Sequence, residues 1–486
     1  MKLRKHVYLI ILSLISISLL LLLFLSYSLS TCFQSLEKIR SQLDEYDEDF
    51  KSMVNFISSL YYDNYGGLLH VKGRATGFFH VEKIDDIWWI IDPEGNVFIS
   101  KGVNTINFQG DYSPALGYSP YNRVLLRKYG DSETWARATV TRLREYGFNT
   151  IGAWSSEELF TKGMPYTIII NIAARAGSEW ISGKVTDFFS EDFEKIADEV
   201  AKEICAAKRD DPYLLGYFTD NELRWSPDWR SSKHLFDDYI ALEKDAPGKR
   251  ALIQYLENKY GSIRELNAKW NTSFNSFEDI LDIYTLPSSS LIDHDRLGFL
   301  EVVARRYFQV CHDAIRRYDP NHMILGCRFA FRPPDEVLKG CIGYIDVISI
   351  NNYGWEPPVE DFRAMHDLTG LPIMITEFSF KAMDSGLPNT RGAGSPLATQ
   401  KDRAEQFEKY VIKLISEPYI VGYHWFQYAD QPAQGRFDGE NSNFGLVNIE
   451  DEPWTILVTR ATVVNLKAEF IHAKSIEKSV CSTIQR

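Results

Sequence analysis

The alternation of apolar and polar positions divides the chain into three stretches. Residues Val7 to Leu25 are almost continuously apolar, interrupted only by serines, and Lys2, Arg4 and Lys5 precede them. A run of about 19 apolar residues is long enough to span a bilayer, whereas the apolar core of a cleaved signal peptide is usually shorter. The basic flank stays on the cytoplasmic side, which places the rest of the chain outside the cell. Residues 1–30 therefore predict an uncleaved, single-pass N-terminal transmembrane helix, with secretion after signal cleavage as the alternative. From Phe33 to about Tyr62 a polar background carries Leu36, Ile39, Leu43, Met53, Phe56, Ile57 and Leu60 at helical spacing. Fewer than three clean heptads can be counted, so residues 31–74 predict a helical stalk or linker rather than an oligomerising coil.

Beyond residue 75 the period changes. Gly77–Glu82 and Ile87–Ile99 read as strands, the latter folded back at the turn Asp92-Pro93-Glu94-Gly95. Eight short apolar runs then alternate with amphipathic segments such as Ser132–Tyr146, Asp192–Lys208, Leu297–Tyr318 and Ala404–Ser416. The runs are Ser100–Asn104, Thr150–Trp154, Tyr166–Ile172, Leu214–Glu222, Met323–Phe329, Ile345–Asn351, Ile373–Glu377 and Ile420–Gln427. Strands alternating with helices imply parallel β-α units, and eight of them imply an α/β fold of the (β/α)₈ TIM-barrel type over residues 75–472. Residues 223–295 exceed a plain crossover and predict a subdomain inserted after strand 4, over the mouth of the pocket. Residues 473–486 are left as a C-terminal tail.

The C-terminal ends of barrel strands are where such enzymes keep their sites. Here those ends supply Asn104, Trp154, Asn221 and Glu222, Arg328, Asn351 and Tyr353, Glu377, and Trp425 and Gln427, with Trp355 close by. The set holds two carboxylates, several amides, one arginine and aromatic rings. Glycoside cleavage needs one carboxylic acid to protonate the leaving oxygen and one carboxylate to attack the anomeric carbon, and amides and aromatics suit a sugar's hydroxyls and faces. Glutamates on strands 4 and 7 can approach to roughly 5–5.5 Å, the separation of retaining enzymes. Glu222 is expected as acid/base and Glu377 as nucleophile, kept ionised by Arg328 and Tyr353; Asn221 suits a hydrogen bond to the sugar's 2-hydroxyl.

Composition narrows the partners. A net charge of -13 argues against a nucleic-acid ligand, which would need a basic face. Aromatic residues make up 14% of the chain, enough to furnish a sugar-binding cleft as well as a core. The cysteines (Cys32, Cys205, Cys311, Cys327, Cys341 and Cys481) form no CxxC pair, and no histidine ends the first barrel strand. Neither a cofactor nor a catalytic metal is therefore expected. Cys327 and Cys341 are read either as a disulfide or as buried thiols, and His424 as a core histidine.

At these residues the chain resembles the clan-A retaining glycoside hydrolases, through Asn221-Glu222 and Glu377. Longer matches resemble the β-agarases of glycoside hydrolase family fifty: Trp88 to Gly95 leading into Gly102-Val103-Asn104, Asp319 to His322 with Leu325 to Ala330, Asp346 to Tyr353, and His424 to Pro432 followed by Gly435-Arg436 and Asp438 to Asn441. The phrase Leu266 to Phe274 is similar to one in family forty-two β-galactosidases. The resemblance covers roughly residues 75–460 and implies a retaining β-glycosidase acting on a galactose-containing glycan. Two departures stand out. Phe378-Ser379-Phe380-Lys381 replaces the Phe-His-Phe-Gly typical after the agarase nucleophile, and a membrane anchor precedes the barrel where agarases carry a large β-domain.

The sequence thus points to a membrane-anchored, exterior glycoside hydrolase with a carbohydrate substrate. A β-galactosidase or other exo-β-glycosidase acting on short oligosaccharides is the alternative, and a tethered glycan-binding pseudoenzyme is the second. Sugar, linkage, endo or exo action and oligomeric state are not encoded in any motif.

Overall fold

The computed structural model describes residues 48–286 and 290–475. The expected anchor and the first part of the stalk lie outside them. Among the described residues no helix is long and apolar enough to cross a membrane.

Two sheets organise the chain. The first is antiparallel and small: β1 (Leu68–Lys72), β2 (His80–Ile84), β3 (Ile87–Ile91) and β4 (Asn96–Phe98), in the order β1-β4-β3-β2. Its β3–β4 turn is the one expected at Asp92 to Gly95, where Gly95 takes φ 86 and its amide bonds the Asp92 carbonyl at 3.0 Å. A side chain would be strained there.

The second sheet contains all eight expected runs: β5 (Ser100–Val103), β6 (Thr150–Ile151), β7 (Tyr166–Ile169), β8 (Leu214–Phe218), β9 (Met323–Ile324), β10 (Ile348–Asn351), β11 (Ile373–Phe378) and β12 (Ile420–Trp425). Every neighbouring pair is parallel, and β12 bonds β5. The ring closes between β9 and β10, where Asp346 N donates to Ile324 O at 2.8 Å and Phe329 N to Ser349 O at 2.9 Å. The result is a TIM-like barrel.

Side chains along these strands alternate between two environments, as the pleat requires. Leu215, Met323, Leu325, Val347, Met374 and Val421 form one buried cluster, while Leu214, Ile324, Ile348, Ile373 and Ile420 join the larger core under the helices. The first cluster also includes Phe79, Ile90 and Phe98 of the small sheet. That sheet therefore plugs the N-terminal end of the barrel, leaving the opposite end to the strand-terminal loops. Gly102 has a packing reason to be glycine: a Cβ there would lie 2.3 Å from the ring of His424, which is buried as expected and bonds Ser100 Oγ at 2.8 Å. Burial pushes that imidazole down to about 3, so it stays neutral.

Two expectations need correction, and one left open is decided. The stalk does not extend to residue 74: the helix Glu48–Tyr61 buries Phe50, Val54, Ile57 and Tyr61, and Tyr61 meets Phe470 of the C-terminal helix edge-on at 6.1 Å. The helical spacing was real, but it builds a packed face. The insertion does not roof the pocket with its helices. Leu235–Ile240, Pro247–Tyr260 and Ile263–Trp270 pack on the long helix Asp293–Tyr318, with Phe236 against Phe299 and Trp270 Nε1 donating to Asp295 at 2.7 Å. Among its described residues, only the first, Leu223 to Arg230, reach the cavity. Cys327 and Cys341 are buried free thiols, as are Cys205 and Cys311.

Candidate functional site

Four adjacent strands leave the barrel through a residue in the left-handed region: Trp154 after β6 (φ 59), Asn171 after β7 (φ 55), Glu222 after β8 (φ 50) and Arg328 after β9 (φ 49). Bulky residues there cost roughly 1–3 kcal/mol each and persist only where surrounding structure imposes them. The chain is held by bonds between these ends: Glu222 N donates to Arg328 O at 3.1 Å, and Thr219 N to Gly326 O at 2.9 Å. Trp154, Asn171 and Glu222 from these turns line one cavity of about 1330 Å³, together with Asn221, Tyr353 and Glu377 among others, while Arg328 is buried beneath it. This volume is above the usual range for a small-molecule site and leaves room for an oligomer.

Glu222 and Glu377 face this cavity from β8 and β11 and are 9% and 5% exposed. Their partners differ. Glu222 accepts from Trp180 Nε1 at 2.8 Å and from Asn351 Nδ2 at 2.9 Å. Glu377 accepts from Arg328 Nη2 at 2.8 Å and from the Tyr353 hydroxyl at 2.5 Å. Asn351 joins the two sides, since it is the cross-strand partner of Glu377 and also contacts Asn221 Oδ1 at 3.3 Å.

Burial pushes the Glu377 carboxyl up to about 7; the Arg328 guanidinium pulls it back, the Glu222 charge adds to the rise, and the Tyr353 hydrogen bond opposes it. Burial and the Glu377 charge push the Tyr353 hydroxyl well above its ordinary value, so it remains a donor. Arg328 is fully buried beneath this pair, with its guanidinium 4.2 Å from the centre of the Trp154 ring. A carboxyl pair of this kind, each member with its own donors, has the parts to handle a proton and a nucleophilic attack in one pocket.

Other expected residues sit elsewhere. Asn104 is buried and ties strands together, donating to Thr376 O at 2.8 Å and accepting from Ala153 N at 3.0 Å. Trp425 is wholly buried among Phe378, Phe380 and Phe407, with its Nε1 on Phe444 O at 2.8 Å. The alternating pleat at the end of β12 turns this side chain to the helix layer. Gln427 is also buried but touches the cavity's edge through Asp111, at 2.8 Å. Trp355 lies on the outer surface, 47% exposed, with its carbonyl taken by Gln406. None of these four lines the cavity.

The sequence reading missed residues carried by loops rather than strand ends. Trp180 lies well past β7, and Trp229 and Phe331 follow β8 and β9. The cavity is also lined by a charged group, Arg436 with Asp438 and Glu440, both at 2.8 Å, and Glu440 also accepts from Gln431 at 2.7 Å. Only the run Gly435 to Asn441, noticed as a match, signalled it. Ser379 and Lys381 are buried behind the site. Lys381 Nζ donates to Gly392 O at 3.0 Å and to Ser442 Oγ at 3.3 Å, fixing a loop that lines the cavity. Among the described residues no cluster of His, Cys, Asp and Glu could hold a metal.

A family model described as β-galactosidase matches residues 167–383, a stretch that contains both glutamates. By sequence the chain is 30% identical over 471 residues to β-agarase B of Vibrio sp. (strain JT0107), covering 81% of this chain and 48% of that protein. Against β-agarase A of the same organism it is 29% identical over 463 residues, covering 81% and 46%. The chain thus spans about half the length of these curated relatives. Among solved structures, an agarase superposes with a TM-score of 0.76 at 26% identity over 88% of this chain and 72% of that one. An exo-β-agarase gives 0.77 at 25% identity over 89% and 72%.

Proposed function

We propose that this chain, a relative of the β-agarases with β-galactosidase similarity across its central barrel, is a retaining β-glycoside hydrolase acting on a galactose-containing oligo- or polysaccharide. The observation that carries the reading is the pair of glutamates at the ends of β8 and β11, facing one cavity with opposite kinds of support. Glu377, held by a guanidinium and a hydroxyl, attacks the anomeric carbon while Glu222 delivers a proton to the leaving oxygen. The covalent glycosyl-enzyme is then opened by water, from which Glu222 removes a proton. Tyr353 and Arg328 stabilise the Glu377 carboxylate both before attack and as it departs. Asn221 lines the cavity next to Glu222, where it can hold the sugar's 2-hydroxyl, and the buried Asn351 orients Glu222 from beneath.

The test is hydrolysis of agarose oligosaccharides and aryl β-glycosides by the wild type and by Glu377→Ala. Turnover abolished in the variant and restored by azide, with an inverted glycosyl azide as product, supports the assignment. Activity surviving in Glu377→Ala without azide would remove it. The β-galactosidase match favours one alternative, a β-galactosidase acting on short oligosaccharides. Turnover of small β-galactosides with none on agarose would select it. Attachment to the membrane through residues 7–25 rests on their apolar run and basic flank, and release of the protein into the soluble fraction of lysed cells would remove that part.

A further inference from the structure

One stretch of the cavity wall is built around Glu222. Trp180, Trp229 and Phe331 line the cavity yet are 40%, 57% and 65% exposed. Large apolar rings left open inside a cleft mark a contact surface. These rings are braced: Trp229 and Phe331 meet edge-on at 5.5 Å, and Trp180 Nε1 holds Glu222. The brace is Arg230, whose side chain is only 3% exposed. Its Nη1 donates to the carbonyls of Glu222 at 2.8 Å and Trp180 at 3.2 Å, its Nη2 donates to Asp228 at 2.6 Å, and its guanidinium lies 4.3 Å from the centre of the Trp229 ring. One buried arginine thus ties two rings to the backbone of Glu222. Around Glu377 the wall mixes polar groups with rings: Tyr353 is on its carboxylate, and Arg436 and Glu440 line the cavity together with Phe426 and Phe437.

We infer that Trp180, Trp229 and Phe331 form the leaving-group side of the cleft, a wall on which the sugar rings beyond the cleaved bond stack, with Arg230 as its positioning residue. The inference rests on the proposed roles of the two glutamates. In a retaining reaction the sugar that becomes covalently bound sits over the nucleophile, and the departing sugar lies beside the proton donor. Trp180 bonds Glu222 directly, and Arg230 ties Trp229, and through it Phe331, to the Glu222 backbone, so this wall meets the departing portion. The occupant is a neutral oligosaccharide with exposed C–H faces, since the wall offers aromatic faces and its cations are spent within the protein: Arg230 on carbonyls and Asp228, Arg224 on carbonyls and Asp238, Lys184 on Glu179. The wall acts when the bond is cleaved and when a sugar, rather than water, accepts the glycosyl group.

The test compares the full chain with Trp229→Ala and Phe331→Ala, and Phe331→Tyr as the conservative variant. The readout is the ratio of kcat/KM on an agaro-oligosaccharide to kcat/KM on 4-nitrophenyl β-galactoside. Each alanine variant is expected to lower that ratio roughly tenfold, about 1.4 kcal/mol, chiefly through KM. The share of transglycosylation products should fall in parallel, and Phe331→Tyr should restore most of the ratio. An equal loss on both substrates, or an unchanged ratio, overturns the wall. If the wild type turns over neither substrate, the proposed activity fails on its own account, and tryptophan fluorescence titrated with the agaro-oligosaccharide decides the wall. Binding lost in Phe331→Ala supports it; equal binding, or none by the wild type, overturns it.

Discussion

Glu222 and Glu377 are the same residue type at equivalent ends of two strands in one barrel, yet the fold surrounds them differently. Glu377 lies within β11, where the register shifts against both neighbouring strands, and receives a charged donor from the segment after β9 and a hydroxyl donor from the loop after β10. Glu222 sits past the end of β8 in a left-handed turn and receives two neutral N–H donors, one from a loop side chain. A guanidinium favours the ionised form of its partner more than an indole or an amide does. The proposed division of roles, with Glu377 as nucleophile and Glu222 as acid, rests on this difference in neighbours.

The comparison can be broken most severely by removing one glutamate at a time. Glu222→Ala should lower kcat/KM on natural glycosides by roughly 10²–10⁴-fold, while substrates with good leaving groups lose far less, because they need no proton. A leaving-group series read in both backgrounds checks this, and equal losses across the series would exchange or erase the roles. Next in size is the charge on Glu377. With Glu377 pushed up to about 7, the acid limb of kcat/KM should fall near that pH, since activity needs the carboxylate. Arg328 lowers that value, so Arg328→Met should move the limb to higher pH by about one unit or more, as a pH-rate profile would show; a limb that stays in place would mean that Arg328 serves only packing.

Smaller effects sharpen the contrast. Tyr353→Phe and Trp180→Phe each delete one donor while keeping a ring, and each should cost about tenfold in kcat/KM. The first should also raise the acid limb and the second should not. Stability offers a further reading. A buried carboxyl whose folded pKa is raised above its unfolded value contributes stability that is complete below the unfolded value and is lost as pH rises through the folded one. For Glu377 that window runs from about 4.5 to about 7. Glu377→Gln should therefore show a flatter fall in Tm across this window than the wild type, measured by calorimetry.

Much of the barrel was readable because its strands are short apolar runs whose order and spacing are local properties. Glu222 and Glu377 were readable for the same reason, since each ends such a run. Trp425 and Asn104 were misplaced because the end of a strand has two faces, and only the closed barrel determines which one looks into the cavity. The helix Glu48–Tyr61 shows the same limit: its apolar stripe specifies a helix with a face to bury, but not the partner, which is the C-terminal helix more than 400 residues away in hydrogen-bonded contact through Tyr62 and Leu466.

What the sequence by itself determined is the list of parts: the apolar runs, the helical stripes and two glutamates at strand ends, because periodicity and turn chemistry act over a few residues. What only the tertiary structure decided is company. Arg328 reaches Glu377 across 49 positions and Trp180 reaches Glu222 across 42. Such contacts depend on barrel closure and on loop paths that no local pattern specifies, and they are what distinguishes one glutamate from the other.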